Sequence, residues 1–493
     1  MITIDQLPER PRGGSFDTFT KEEIAMGENK TVRKLTLLLS ALLISAFSAS
    51  LLAAGAERIP HGTQTLYVSA NTGSNRGDGS KEKPIKDLQK AIDEAKEGAV
   101  ILVAEGNYQG TLDAGYILVK KYISLIGGFS DDFSRRDVTK HMTMIRPGAK
   151  ASGTGANFGL LDIYVRGKRD GVVVVDGFVL DKGEMNGYFL PDPKNPKSGT
   201  PEGVSTGRLD PPGYGSSGAP KMPGRKSVSN QLIHGDVEGR VTIRNCILLN
   251  GSHFGIQMGN IGGHFEIANN IFLANRMAAC EIRGMNKNPG EATVDFHHNT
   301  VLFVWRRDPA PGAKDMGYGF RYMTGINANV YNNIFGCIDF AGLDRTYIDA
   351  DKNKEQKRVT SAWNNRFFAN LEADLTLPSG GGKFLRVFTP QFEDAAQLTK
   401  YEGNSEMSQH EITLLTKALD KPYLTGFLSM DGTSSMEHNP NSSENLFRSA
   451  LGMNQRGVSS YTVTMYMNQY PLQRAAELFG ALNEVGAQKP GSW

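Results

Sequence analysis

The chain has 493 residues, of which 39% are apolar and 22% charged, with 56 Gly and a net charge of +2. That length serves two to four average domains or one long repetitive one, and the apolar share excludes a disordered chain. Glycine exceeds the usual ~7% without a collagen period, and near-neutrality excludes nucleic-acid binding through bulk charge. Cys246, Cys280 and Cys337 are too few for a disulfide scaffold, none lies in a C-x-x-C, and they read as small buried hydrophobes.

Lys30, Arg33 and Lys34 precede the apolar run of residues 35–54, which ends in Ala54-Gly55-Ala56. A basic region, an apolar stretch and a small-x-small site predict a secretory signal cut after Ala56. The polar stretch in front is long for a signal, so translation from Met26 and a retained anchor stay open; about twenty apolar residues just span a bilayer. Cleavage predicts a secreted, periplasmic or cell-surface body with no membrane contact. No Cys follows the run to carry a lipid.

From Thr65 a short strand (Leu66, Tyr67, Val68) enters a Gly-, Asn- and Asp-rich loop. An amphipathic helix opened by Pro84 follows, with Ile85, Leu88, Ile92 and Ala95 on one face and Gly98 at its end. The strand AVILVAEG comes next. Arg76-Gly77-Asp78 in the loop matches an adhesion tripeptide that recurs by chance. Residues 187–230 hold eight prolines and little periodicity, and with Tyr188, Phe189 and Tyr214 they read as a wall beside a cleft or as plain disorder.

The middle third repeats. VTIRNCILLN, FEIANNIFLAN, VDFHHNTVLFV, ANVYNNIFGC and SAWNNRFFAN place Asn245, Asn270, Asn299, Asn333 and Asn365 at separations of 25, 29, 34 and 32 residues. Each sits between short alternating strands, where Asn suits a tight corner because it tolerates left-handed backbone. A coil of about 22–25 residues with loop insertions fits a solenoid, and the four-strand blade of a propeller is missing. From residue 371 the repeat is expected to stop, and helical patterns such as EDAAQLTKYEG and ELFGALNEVG predict a second cap over the end or side of the coil.

The strand–helix–strand opening, the strings ISLIGGF and VVVVDGFVL, and the corner Asn repeat resemble the secreted right-handed parallel β-helix proteins of the pectate-lyase-like superfamily. The expected fold is all-β: a parallel β-helix solenoid with an N-terminal capping helix and a mixed C-terminal cap. The expected organisation is 1–56 extension and signal, 57–370 β-helix with 187–230 inserted, and 371–493 cap. In that family a capping helix covers the open end, which would otherwise expose core and unpaired strand edge.

Successive coils of such a fold lie about 4.8 Å apart, so matching outward positions form columns. The strands GIQMG, CEIRG, GFRYM and GLDRT align Ile256, Ile282, Phe320 and Leu343 inward, which puts Gln257, Arg283, Arg321 and Asp344 in one outward column. Gly255, Glu281, Gly319 and Gly342 then neighbour it, and Arg345 follows Asp344. Adjacent arginines over a low glycine floor suit an extended acidic chain, since guanidinium pairs carboxylate two-pronged. The resemblance implies substrate on this sheet, Arg as base and acidic residues holding calcium. It lacks the D-P-H-D string of alginate epimerases and the paired-Asp strings of polygalacturonases.

The reading is an exported carbohydrate-active protein that binds or cleaves an acidic polysaccharide, by β-elimination if lytic. Arg283, Arg321, His253 and Tyr322 are the catalytic candidates, and Gln257, Glu281, Asp344 and Arg345 the substrate-binding ones. Two alternatives stand beside it: a surface ion-pair ladder without ligand, and a non-catalytic surface or adhesion scaffold.

Overall fold

The computed structural model describes residues 61–110, 116–148, 159–183, 231–285, 291–305, 317–322, 325–345, 360–370, 372–380, 383–394, 398–428, 443–452, 454 and 469–491. The expected signal and the insertion at 187–230 lie outside them. Among the described residues, no helix is long and apolar enough to cross a membrane.

Each coil runs through three parallel sheets in turn. The first sheet climbs from Thr65–Val68 to Thr360–Trp363, the second from Gly106–Tyr108 to Ser405–Glu406, and the third from Ile117–Val119 to Ala373–Gly380. The strand Ile256–Ala268 serves two of them: its start pairs in the third sheet and its end in the first. Parallel crossovers in one sheet take the right-handed sense that strand twist imposes.

Sequence alternation explains the winding. In Ile233–Glu238 and Ala292–His297, alternate residues are buried and half-buried, so one set fills the coil interior. The interior stacks like on like. Phe296 lies on Phe320 with ring centroids 4.4 Å apart at 6°, and Phe335 lies on Phe367 at 5.5 Å.

The corner asparagines form two ladders. Asn245, Asn269, His298, Asn332 and Asn364 all take left-handed backbone, with φ of 51–57°. Next to them Asn270, Asn299, Asn333 and Asn365 are fully buried, and each receives bonds from the coil before it. Asn299 Oδ1 accepts from Asn270 N at 3.0 Å, and Asn299 Nδ2 donates to Ile267 O at 2.8 Å. The predicted marker Asn245 therefore belongs with Asn269, one residue ahead of the other four. The buried ladder continues past residue 371 to Asn404, whose Oδ1 accepts from Asn365 N at 3.1 Å. Parallel pairing runs on with it to Ala373–Gly380 and Ser405–Glu406.

The opening helix covers Leu88–Glu94, capped by Asp87, whose side chain accepts from Lys90 N. It begins later than Pro84 because Ile85 is bridged in extended form to Val68 and Ser74. Ile85, Leu88, Ile92 and Ala95 are nevertheless all buried.

The C-terminal tail lies along the side of the coil. Helices Gln409–Ala418, Lys421–Leu428, Ser443–Ala450 and Leu472–Ala476 contribute Ile412, Leu415, Tyr423, Phe447 and Leu478 to a cluster with Ile271, Leu302 and Ile334 of the second sheet. The expected helix ELFGALNEVG is a run of turns, because Gly480, Glu484 and Gly486 take positive φ. Gly486 N instead bonds Asn332 O at a coil corner.

Candidate functional site

With the second sheet covered, the outward face of the third sheet is the place where chemistry gathers. Its register is Ile233↔Ile256↔Cys280↔Phe320↔Leu343 inward and His234↔Gln257↔Glu281↔Arg321↔Asp344 outward. Ile256, Phe320 and Leu343 share one inward column as expected, but Cys280 takes the place assigned to Ile282. Glu281 therefore replaces Arg283 in the outward column. Arg283 lies one outward position further on, opposite Gly259.

The column is closed on itself. Gln231 Nε2 donates to Gln257 Oε1 at 2.9 Å, and Gln257 Nε2 to Glu281 Oε1 at 2.8 Å. Arg321 Nη1 reaches Glu281 Oε2 at 3.5 Å, Arg321 Nε donates to Asp344 Oδ2 at 2.7 Å, and Thr376 Oγ1 donates to Asp344 Oδ1 at 2.6 Å. Arg321 is 3% exposed, with its guanidinium 3.7 Å from the Tyr318 ring centre. Burial disfavours its charge, but Asp344, Tyr318 and Glu281 outweigh that and hold its pKa above the ordinary arginine value. Arg321 is therefore a buried counter-ion to Asp344 and Glu281.

The expected glycine floor is an interior feature. A Cβ on Gly255 would meet Ala279 O at 2.4 Å, and one on Gly319 would meet Gly342 O at 2.3 Å and the Phe335 ring at 2.7 Å. These glycines let neighbouring coils approach closely. Tyr322 pairs with Ile282, an inward position, and is buried in the core beside Phe320. Arg345 is buried, with its amide bonded to Thr376 O. His253 sits in the turn before the third-sheet strand, edge-on to Phe254, and its carbonyl accepts from Arg276 N.

Lower on the same face lies a group absent from the sequence-based assignment. Asp162 and Tyr164 point outward from Leu161–Val165, and His234 from the next coil. His234 Nδ1 lies 3.1 Å from Tyr164 Oη and 3.4 Å from Asp162 Oδ1. Asp162 is fully buried; its Oδ1 accepts from Gly159 N at 2.8 Å, while Oδ2 takes no hydrogen bond among the described residues. Burial, with the Asp162 and Asp236 carboxylates, pushes the Tyr164 hydroxyl up to about 12. Arg283 opposes that shift, so its charge reaches this group; its side chain is 35% exposed and its Nε is 3.8 Å from Glu281 Oε1. The alternation L-D-I-Y-V and I-H-G-D-V-E was the available signal, on coils earlier than the Asn repeat makes obvious.

No three of the described His, Cys, Asp and Glu side chains gather as a cation site, so the calcium implied by resemblance finds no donor set there.

Three parallel sheets wound in register around one core, with ladders at the corners, decide the architecture. The chain is a right-handed parallel β-helix. A family model described as "Protein of unknown function (DUF1565)" matches residues 71–157, the first coils of this β-helix. The "Uncharacterized protein YwoF" of Bacillus subtilis (strain 168) is 46% identical over 48 residues, a tenth of either chain. Similar solved structures include a GH136 lacto-N-biosidase from Eubacterium ramulus, at 10% identity and TM-score 0.29, covering 77% of this β-helix chain and 59% of the other. A polygalacturonase from Erwinia carotovora ssp. carotovora has 10% identity and TM-score 0.30, covering 66% and 85%.

Proposed function

We propose that the protein is an exported carbohydrate-active enzyme that cleaves a uronate-containing polysaccharide by β-elimination on the outward face of the third sheet. The observation that carries this is His234, held at Nδ1 between the Tyr164 hydroxyl and the Asp162 carboxylate, with the partly exposed Arg283 on the same face. An imidazole oriented by a carboxylate is a competent proton acceptor, and a hydroxyl kept protonated beside it is a donor. His234 Nε2 takes the C5 proton, the C4–O bond breaks as the C4=C5 double bond forms, and Tyr164 Oη protonates the leaving oxygen. Tyr164 Oη takes its proton back from Nδ1, and exchange with water then moves the remaining imidazole proton from Nε2 to Nδ1, which restores the base. Arg283 pairs the substrate carboxylate and so acidifies C5.

A second reading, a non-catalytic scaffold, is favoured by the closed run from Gln231 to Thr376, which spends the upper face on internal bonds.

The test is a screen of uronic-acid polymers for ultraviolet-absorbing unsaturated product. His234→Ala and Tyr164→Phe should each lower turnover about 10²–10⁴-fold, the usual worth of a proton-transfer group. Arg283→Ala should weaken binding as well as turnover. Arg321→Ala should lose about 3–5 kcal/mol of stability, as expected for breaking a buried pair, without a matching change in substrate affinity. Unsaturated product formed at the wild-type rate by the His234 variant overturns the mechanism. Absence of product from every polymer favours the scaffold.

A further inference from the structure

Away from the His234 face, a cavity of about 300 Å³ opens beside the first strand of the second sheet, Gly106–Tyr108. Three stretches of chain build it. The loop after Thr65–Val68 brings Asn75, the approach to the capping helix brings Lys86 and Asp87, and the strand with the residue after it brings Asn107 and Gln109.

Hydrogen bonds set these stretches against one another. Ser74 N donates to Pro84 O at 3.0 Å and Lys86 N to Ser74 O at 3.1 Å, which ties the loop to the approach to the helix. Tyr108 Oη accepts from Ala70 N at 3.1 Å and donates to Ala104 O at 2.9 Å, which ties the loop to the strand. Ser69 Oγ and Asn71 Nδ2 both donate to the Asp131 carboxylate, at 3.0 and 3.1 Å, and anchor the start of the loop. The walls are thus held in place before a ligand arrives, and binding carries little cost for ordering them.

The polar side chains around the cavity are exposed and largely unengaged. Among the described residues, the side chains of Asn75, Asn107 and Gln109 take no hydrogen bond and that of Lys86 no ion pair. Asp87 uses Oδ1 as the acceptor for Lys90 N at 2.7 Å, which leaves Oδ2 for a ligand. Ala70, Leu88 and Tyr108 supply the apolar part of the wall.

These groups narrow the occupant. A carboxamide carries donor and acceptor side by side, so each of the three can accept from one hydroxyl of a neighbouring pair and donate to the other. One ammonium and one carboxylate cancel, so a ligand charged with either sign meets a like charge together with its opposite. An uncharged ligand dense in hydroxyls, with C–H faces for the apolar wall, matches both. The volume lies at the lower end of the range for small-molecule sites, about 300–1,000 Å³, and suits one or two sugar rings.

We propose that this cavity binds the neutral pyranose units of a glycan. The site goes beyond the elimination proposed above: it shares no residue with it, takes a ligand without carboxylates and carries out no bond chemistry. The first coils hold a neutral glycan while the third-sheet face acts on a uronate chain.

The test is calorimetric titration of the full chain with cellohexaose, mannohexaose and xylohexaose, with hexagalacturonate as the charged comparison. At least one neutral oligosaccharide should bind with a Kd of about 1 mM or tighter. Raising salt from about 50 to 500 mM should leave that Kd within about twofold, because no charge is paired on binding. Asn107→Leu keeps the side chain's size and removes its hydrogen-bonding atoms; this variant and Gln109→Ala should each weaken binding about tenfold. Both positions are exposed, so thermal melts should match the wild type. His234→Ala should bind the neutral oligosaccharide as the wild type does, so failure of the elimination mechanism and failure of this site are separate outcomes. Binding of none of the three neutral oligosaccharides overturns the proposal. So does a Kd unchanged in the double variant of Asn107→Leu and Gln109→Ala, which would put the sugar elsewhere. Displacement by an equal concentration of hexagalacturonate overturns it too, since the cavity would then select for charge.

Discussion

At the scale of single residues, the outer corner column places one titrating group among asparagines. His298 takes φ of 51°, and its Nε2 accepts from Asn332 Nδ2 at 3.1 Å. Burial, and then the charge of His297, lower its pKa from 6.5 to about 4. The folded state therefore resists a proton that the unfolded chain accepts. Stability from this residue is fully present above pH 6.5, falls as pH drops from 6.5 towards about 4, and changes no further below that. His298→Asn should remove this component, because Asn fits the same left-handed backbone and does not titrate. Melting of wild type and variant at pH 7 and pH 5 checks it: the wild type should lose more between the two. Equal losses would mean that His298 gains its proton in the folded state at its ordinary pKa. The string VDFHHNTVLFV marked this corner, but not which of its residues takes the left-handed position, since His and Asn both tolerate it.

At the scale of elements, the strand register shows why the candidate site was only partly legible. A slip of one residue would turn every side chain to the other face, and the hydrophobic pattern forbids it. A slip of two residues keeps faces intact. In C-E-I-R, Cys280 and Ile282 both serve inward, so alternation alone cannot choose between them, and Glu281 and Arg283 exchange places as a result. Backbone pairing with Ile256–Ala268 chooses. Phe320 carries no such ambiguity: it is fully buried and stacked on Phe296 at 4.4 Å. Phe320→Ala should cost about 3–5 kcal/mol in chemical denaturation, with the melting transition still cooperative. A cost below about 1 kcal/mol would mean that the stacked column collapses around the gap and is not close-packed. The Asp162–His234–Tyr164 group escaped notice for a different reason. Its residues come from strands separated by an insertion of tens of residues, and no linear spacing links them.

At the scale of the whole molecule, the coil was legible because a repeat writes the same corner and the same alternation many times over. The tail was legible only as a helical cap, because the partners of its apolar residues belong to a surface that only exists once the coil has formed. Its helices bury Ile412, Leu415, Tyr423, Phe447 and Leu478 against the second sheet. Polar ties hold the last segment: Tyr470 N donates to Asn250 Oδ1 at 2.8 Å, Gln488 N to Asn269 Oδ1 at 2.6 Å, and Ala487 N to Thr300 Oγ1 at 2.9 Å. Corner asparagines thus bond along the coil and out to the tail at once. A chain ending at Glu406 keeps every paired strand but uncovers Ile271, Leu273, Leu302, Ile334 and Phe368, a continuous apolar strip that a soluble monomer rarely exposes. It should bind a hydrophobic dye strongly, melt well below the full chain and associate as concentration rises. Light scattering and dye fluorescence across a concentration series check this. A shortened chain that stayed monomeric at the full chain's melting temperature would make the tail an appendage, with the second sheet stable in water by itself.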